Sequence, residues 1–184
     1  MKKTVSRILA LLLAIALCCG MLPVAAFATS TPMKIVVDSV NAQPGGEVKV
    51  AVKVEDNPGI ASMKLVIGFD SVLTLTAVEY NTAAWQGMSQ APQNFKNPVT
   101  LNWFDGTKDF TESEAVFATL TFQVADDAEE DTTANITVSY DEEDIYNIAE
   151  ENVECTIVDG VVTICSLVPG DINGDRLRNN KDVF

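Results

Sequence analysis

Six positions near the C-terminal end of the sequence place oxygen ligands at a spacing that suits a hard cation. Asp171, Asn173, Asp175, Asn179 and Asp182 fall at relative positions 1, 3, 5, 9 and 12 of one twelve-residue stretch, with Leu177 at position 7. Calcium takes six to eight oxygens, and a loop of this length supplies them from side chains at those positions and from the carbonyl of residue 7. The stretch therefore reads as a calcium loop in which Leu177 contributes its main-chain oxygen. Two positions depart from the usual pattern. Arg176 stands at position 6, where glycine eases a sharp turn, and Asp182 stands at position 12, where a bidentate Glu is common. The sequence ends at Phe184, two residues past the loop. Helices shorter than about 12 to 15 residues are marginal in water, so weak calcium binding is expected from residues 170–184, and the chain is expected to be part of a longer one.

Other chemistry is narrowly bounded. The 184 residues include no histidine, which removes His-dependent triads, Cys-His pairs and histidine metal sites. Carboxylate chemistry is left. A glycosidase needs two carboxyl groups about 5 to 9.5 Å apart in a cleft, and Asp105, Glu112 and Glu114 are the central candidates. Their surroundings read better as a hydrated connection between strands, so no enzyme is expected.

The chain opens with Lys2, Lys3 and Arg7, an apolar run from Ile8 to Leu17, and the small-x-small site Ala26-Phe27-Ala28. That is the pattern of a secretory signal peptide covering residues 1–28. Its apolar core is shorter than the roughly 20 residues a membrane span needs, and no later run is longer, so a secreted, extracellular chain that does not span a membrane is expected. Cys18 and Cys19 raise a lipoprotein alternative, but Leu17 stands before them where a small residue belongs. Removing residues 1–28 takes three of the 12 Lys and Arg and none of the 26 acids, which leaves nine cations and a net charge of −17. Nucleic acid binding needs a basic patch, and none is present. The acid runs 126–131 and 141–144 read as solvated loops.

From Lys34 to Cys165 short β-branched and aromatic runs alternate with turn clusters. They are Ile35–Val37, Glu47–Val54, Ser62–Phe69, Leu73–Tyr80, Val99–Phe104, Ala115–Val124, Asn135–Tyr140, Val153–Val158 and Val161–Cys165. Nine strands at this spacing predict an all-β, nine-stranded jelly-roll β-sandwich over residues 29–165. Period two is plain where Val48, Val50, Val52 and Val54 alternate with Lys49, Ala51 and Lys53. Met63, Leu65 and Ile67 alternate in the same way with Ser62, Lys64 and Val66, so one face of each strand points inward. Trp85, in the region 81–97, reads as a core aromatic. Asp159-Gly160 signals a two-residue hairpin that would pair Val158 with Val161. That register puts Cys155 and Cys165 on opposite faces as two free, partly buried thiols, with a disulfide as the alternative for a three-residue loop. Residues 166–169 read as a short linker to the calcium loop.

Gly170-Asp-Ile-Asn-Gly-Asp175 resembles the first half of a dockerin, the calcium-folded plug of cellulosomes, and that resemblance accommodates Asp182 at the last position. The tail is thus expected to be a truncated dockerin-like, EF-hand-like calcium-loop fragment over residues 170–184. The sandwich has its own resemblance, carried by Pro44-Gly-Gly-Glu-Val-Lys-Val-Ala-Val, Asn57-Pro-Gly-Ile-Ala-Ser-Met-Lys-Leu, Gly68-Phe-Asp, Leu73, Trp103-Phe-Asp-Gly-Thr, Phe117-Ala-Thr-Leu-Thr-Phe and the Asp159-Gly160 pair. These look like a cohesin domain. The resemblance implies a non-catalytic scaffoldin or adaptor module that binds dockerin-bearing proteins in a cellulosome-like complex for polysaccharide degradation. A complete dockerin would in turn bind a cohesin. It places the partner on one flat sheet whose outward residues would be Ser62, Lys64 and Val66 with Thr100, Asn102 and Phe104. The alternative is a carbohydrate-binding module of related jelly-roll fold that takes plant polysaccharide directly. Cell-surface attachment through an assembled scaffold is the alternative to free secretion. Mass spectrometry of the exported protein is expected to find the N-terminus at Thr29; a lipid-bearing N-terminus at Cys18 or Cys19 would replace the signal-peptide reading with a lipoprotein.

Overall fold

The structure is a computed structural model and describes residues 31–165. The expected signal peptide, linker and calcium loop, with Asp171, Asn173, Asp175, Leu177, Asn179 and Asp182, lie outside the described residues.

Twelve strands follow one another among the described residues: β1 Met33–Val37, β2 Val40–Ala42, β3 Glu47–Glu55, β4 Ser62–Phe69, β5 Leu73–Tyr80, β6 Met88–Gln90, β7 Val99–Phe104, β8 Ala115–Val124, β9 Thr132–Ser139, β10 Ile145–Tyr146, β11 Cys155–Val158 and β12 Gly160–Ile164. All nine strands expected from the sequence form. The three additions, β2, β6 and β10, span three, three and two residues, too few to show a period. Among the described residues no helix is long and apolar enough to cross a membrane.

The strands make two sheets. One runs β11-β1-β3-β8-β5; the other runs β2-β12-β9-β4-β7-β6, with β10 beside β4. Alternation decides what lies between them, because successive side chains of a strand point to opposite faces. Val50, Val52 and Val54 of β3, Met63, Leu65 and Ile67 of β4, and Phe117, Leu120 and Phe122 of β8 are all fully buried in one continuous core.

The Asp159-Gly160 pair is not a hairpin. β11 pairs with β1 in parallel, Val158 opposite Val36, while β12 belongs to the other sheet, between β2 and β9. Residues 33–42 and 155–164 thus run side by side in the same direction and cross together from one sheet to the other. Three contacts hold the crossing. Val161 N donates to Ser39 Oγ at 3.1 Å, Val138 N donates to Asp159 Oδ1 at 2.8 Å, and Asp38 N donates to Ala51 O at 3.0 Å. Glycine is required for space rather than for turn geometry: a Cβ at Gly160 would sit 2.5 Å from Val37 Cγ1 and 2.7 Å from Asp38 O. Locally the same dipeptide suits either outcome, and strand partners distant in sequence decide.

Both Cys155 and Cys165 are free thiols; Cys165 is buried and Cys155 half-buried. Burial pushes the Cys155 thiol up to about 12, against a weaker opposing hydrogen bond from Tyr140. Gly160→Ala is expected to destabilise the domain by about 1 to 3 kcal/mol, the usual cost of overpacking. Denaturant unfolding measures it, and an unchanged midpoint would show that the crossing has room to spare.

Candidate partner-binding site

The six outward residues expected at an interface meet as three cross-strand pairs. β4 and β7 are antiparallel with Ser62 opposite Phe104, Lys64 opposite Asn102, and Val66 opposite Thr100. Directly paired side chains in such a ladder are about 4.5 to 5.5 Å apart at Cβ, so the six make one continuous patch. Their neighbours Met63, Leu65, Val99, Leu101 and Trp103 are buried beneath it.

Two short strands widen the patch. β6 pairs with β7, Met88 opposite Phe104 and Gln90 opposite Asn102; β10 pairs with β4, Tyr146 opposite Ser62. One outward row therefore reads Tyr146, Ser62, Phe104, Met88 across four strands. Its end near β6 is apolar and open, with Met88 70% and Phe104 39% exposed. The surface carries a shallow, open hollow over part of its area. The hollow, of about 760 Å³, is lined by Ser62, Lys64, Met88, Asn102, Phe104 and Glu143, among others.

Local chemistry sets this shape. Gly87 has φ of +110°, a conformation L side chains resist, and a Cβ there would lie 2.6 Å from Phe104 O, so glycine is what lets β6 come alongside β7. Tyr80 reaches from β5, its hydroxyl donating to Gln90 O at 3.0 Å and accepting from Asn102 N at 3.3 Å. Burial raises the Tyr80 pKa above its ordinary value, so the hydroxyl stays protonated and keeps both bonds.

An aromatic cluster supports the patch from below. Trp85 stacks on Phe110 with centroids 3.8 Å apart and meets Trp103 and Phe117 edge-on, each at 5.1 Å. The indole N–H of Trp85 donates to Val116 O at 2.9 Å and that of Trp103 to Gln86 O at 2.8 Å. Trp85 is thus the core aromatic its position suggested, 1% exposed.

Lys64 is committed within the chain. Its Nζ donates to Asp144 Oδ1 at 2.9 Å and to Oδ2 at 3.1 Å, and this hydrogen bond holds the ammonium above its ordinary pKa. Of the carboxylates considered for catalysis, Asp105 and Glu112 line one small hollow. Asp105 accepts from Thr107 N at 2.9 Å and Thr107 Oγ1 at 2.6 Å, which keeps its carboxyl below the usual range as the lock of a turn, while Glu112 and Glu114 are exposed. Among the described residues no group of three or more His, Cys, Asp or Glu is placed to hold a metal.

Met88, Gln90, Glu143 and Tyr146 were not foreseen as part of the patch. Only pairing onto β7 and β4 brings them there, and no local pattern signals it.

A model of the cohesin domain matches residues 33–164. No curated protein matches the chain. Among solved structures, a non-cellulosomal cohesin from the archaeon Archaeoglobus fulgidus aligns with TM-score 0.63 at 20% identity, covering 74% of this chain and 93% of that one. A type I cohesin–dockerin complex from Clostridium thermocellum aligns with TM-score 0.64 at 19% identity, covering 74% and 95%. The sixth cohesin of Acetivibrio cellulolyticus scaffoldin B, solved with a Cel5 dockerin mutant, aligns with TM-score 0.63 at 18% identity, covering 73% and 99%. At these identities the structures speak for the fold, and the domain match over 33–164 speaks for the family: the chain belongs to the cohesins, which are non-catalytic protein-interaction modules.

Proposed function

We propose that the sandwich is an extracellular scaffold or adaptor module that docks dockerin-bearing proteins on the β4–β7 face. The observation that carries this reading is the register that sets Ser62, Lys64 and Val66 against Phe104, Asn102 and Thr100 on one face. An apolar pair with a polar surround is the composition of an interface core and rim. The dockerin complexes of the Clostridium thermocellum and Acetivibrio cellulolyticus cohesins support the choice of partner. Catalysis has no support from the chain: histidine is absent, and Asp105 is held by Thr107 as the lock of a turn.

Direct polysaccharide binding is the weaker reading. Carbohydrate modules usually stack sugars on exposed aromatic rings, and here Trp85 and Trp103 are 1% and 2% exposed. Participation in polysaccharide degradation would then come through the docked partners.

Calcium belongs to the tail in this proposal. Asp171, Asn173, Asp175, Asn179 and Asp182 offer only hard oxygen donors, the set calcium prefers. Restored to a full dockerin, the tail would let the chain dock into another cohesin and link two parts of an assembly. The sandwich contributes its own core, so its melting temperature is expected to be unchanged by EDTA. A large drop for residues 29–165 would place a calcium site within the sandwich.

A panel of dockerins from the same genome, tested by pull-down beside cellulose and xylan, decides between the readings. Capture by polysaccharide with no dockerin retained would transfer the domain to the carbohydrate reading. Phe104→Ala is expected to weaken dockerin binding by about 1 to 2 kcal/mol, as loss of an interface anchor does, and to leave the unfolding midpoint in place because the ring faces outward. Unchanged affinity would remove β7 from the interface.

A further inference from the structure

Where β6 stops, β7 keeps an open edge. β6 pairs with β7 only from Phe104 to Asn102, and residues 91–98 then leave β6 and return into the start of β7. Along an antiparallel strand, alternate residues exchange main-chain bonds with one neighbour, and the residues between them face the other side. Asn102 N donates to the Tyr80 hydroxyl and Lys64 N to Asp144 O, so the Lys64–Asn102 pair makes no bond between β4 and β7. Thr100 lies two residues from Asn102 and has the same sense. Its N–H and C=O point away from β4, and no strand stands opposite them.

A hollow of about 270 Å³ lies at this edge, lined by Gln90, Gln93, Asn94, Thr100 and Asn102, among others. No charged residue lines it, although the chain carries 26 acids. Among the described residues the side-chain amides of Gln90, Gln93 and Asn102 and the hydroxyl of Thr100 have no hydrogen-bond partner, while Asn94 uses only Oδ1, which accepts from Lys96 N at 3.3 Å. Each amide brings both donors and an acceptor. The walls are held in place. Asn97 Oδ1 accepts from Phe69 N at 3.2 Å and its Nδ2 donates to Phe69 O, while the Tyr80 hydroxyl ties Gln90 O to Asn102 N. Pro92 and Pro98 each fix one φ of the connection, so little freedom is lost when a ligand enters.

A peptide strand added beside Thr100 has no room to run on, because the connection 91–98 walls the far side. The volume is also smaller than the roughly 300 Å³ at which pockets for drug-sized ligands begin. What fits is compact, uncharged and rich in groups that both donate and accept, which is the chemistry of sugar hydroxyls. We propose that this hollow binds a single neutral sugar unit, such as a chain end or a side branch, through hydrogen bonds. The site needs no exposed ring, which separates it from the aromatic strip of a carbohydrate module, and it does not depend on what docks on the β4–β7 face.

The test titrates the isotope-labelled full chain with glucose, xylose, galactose and N-acetylglucosamine, with glucuronate as the charged comparison. A single ring binds in about the millimolar range at ordinary ligand efficiency, so the titrations run to about 100 mM. At least one neutral sugar is expected to give saturable NMR shifts at the Thr100 N–H and at the side-chain amides of Gln93 and Asn94. Gln93→Ala and Asn94→Ala should each weaken that sugar about threefold to tenfold, the worth of a hydrogen bond; both side chains are exposed on the connection, so the fold is kept. Thr100→Pro removes only the outward N–H, which takes no part in the β4–β7 ladder, and should weaken binding as much with the unfolding midpoint checked alongside. Shifts that fail to saturate with all four neutral sugars, saturable shifts on another surface, or unchanged affinity in both alanine variants would overturn the site. Binding of glucuronate alone would overturn its assignment to neutral sugars.

Discussion

The sandwich depends on the crossing at Asp38-Ser39 and Asp159-Gly160, where the first and last strand-forming segments pass together from one sheet to the other. β1 with β11 and β2 with β12 are its parallel pairs, and through them each sheet receives a strand from both ends of the domain. The space available is fixed by the Val37 side chain and the carbonyl of Asp38, which leave no volume for a methyl group at Gly160. Side chains partner main-chain groups at the crossing: Ser39 and Asp159 supply acceptors to Val161 N and Val138 N. Continuity of the core follows, since residues from both sheets can then face each other along the whole length.

The candidate site is a second consequence of register. Once β4 and β7 align with Lys64 opposite Asn102, a shift by one residue would turn Phe104 inward and expose Trp103, and Trp103 is anchored by Trp85 and by Gln86 O. The aromatic cluster therefore fixes which residues a partner meets. Tyr80 adds a tie from the other sheet, bonding both Gln90 and Asn102, so the β6 edge is held by the same core.

Long strands were legible in the sequence because their alternation is written in residue types: Met63, Leu65 and Ile67 against Ser62, Lys64 and Val66 can be aligned only one way. That is why Ser62, Lys64, Val66, Thr100, Asn102 and Phe104 could be named as one outward set, and why Trp85 read as core. Strands β6 and β10 were not legible, since two or three residues carry no period and their pairing is set by strands distant in the chain. Met88 and Tyr146 were missed for that reason, and so was the hollow their strands help to enclose. Asp159-Gly160 was misread because an Asp-Gly pair between apolar runs is the strongest local hairpin signal, and only the availability of β1 and β9 as partners outweighs it.

Parallel pairing at the crossing also bears on how the domain answers to pulling. If tension enters near Met33 and leaves near Cys165, β1 and β2 are drawn toward one side while β11 and β12 are drawn toward the other. The seven paired positions from Met33–Cys155 to Val36–Val158 and from Val40–Val162 to Ala42–Ile164 then slide along their own axis and share the load. An antiparallel hairpin at Asp159-Gly160 would have peeled open one rung at a time. Forced unfolding is governed by the rate of barrier crossing rather than by equilibrium stability, so this geometry raises the force the domain bears along that axis. Single-molecule pulling from residues 33 and 165, set against pulling that opens an antiparallel pair from one end, reads that endurance directly as rupture force.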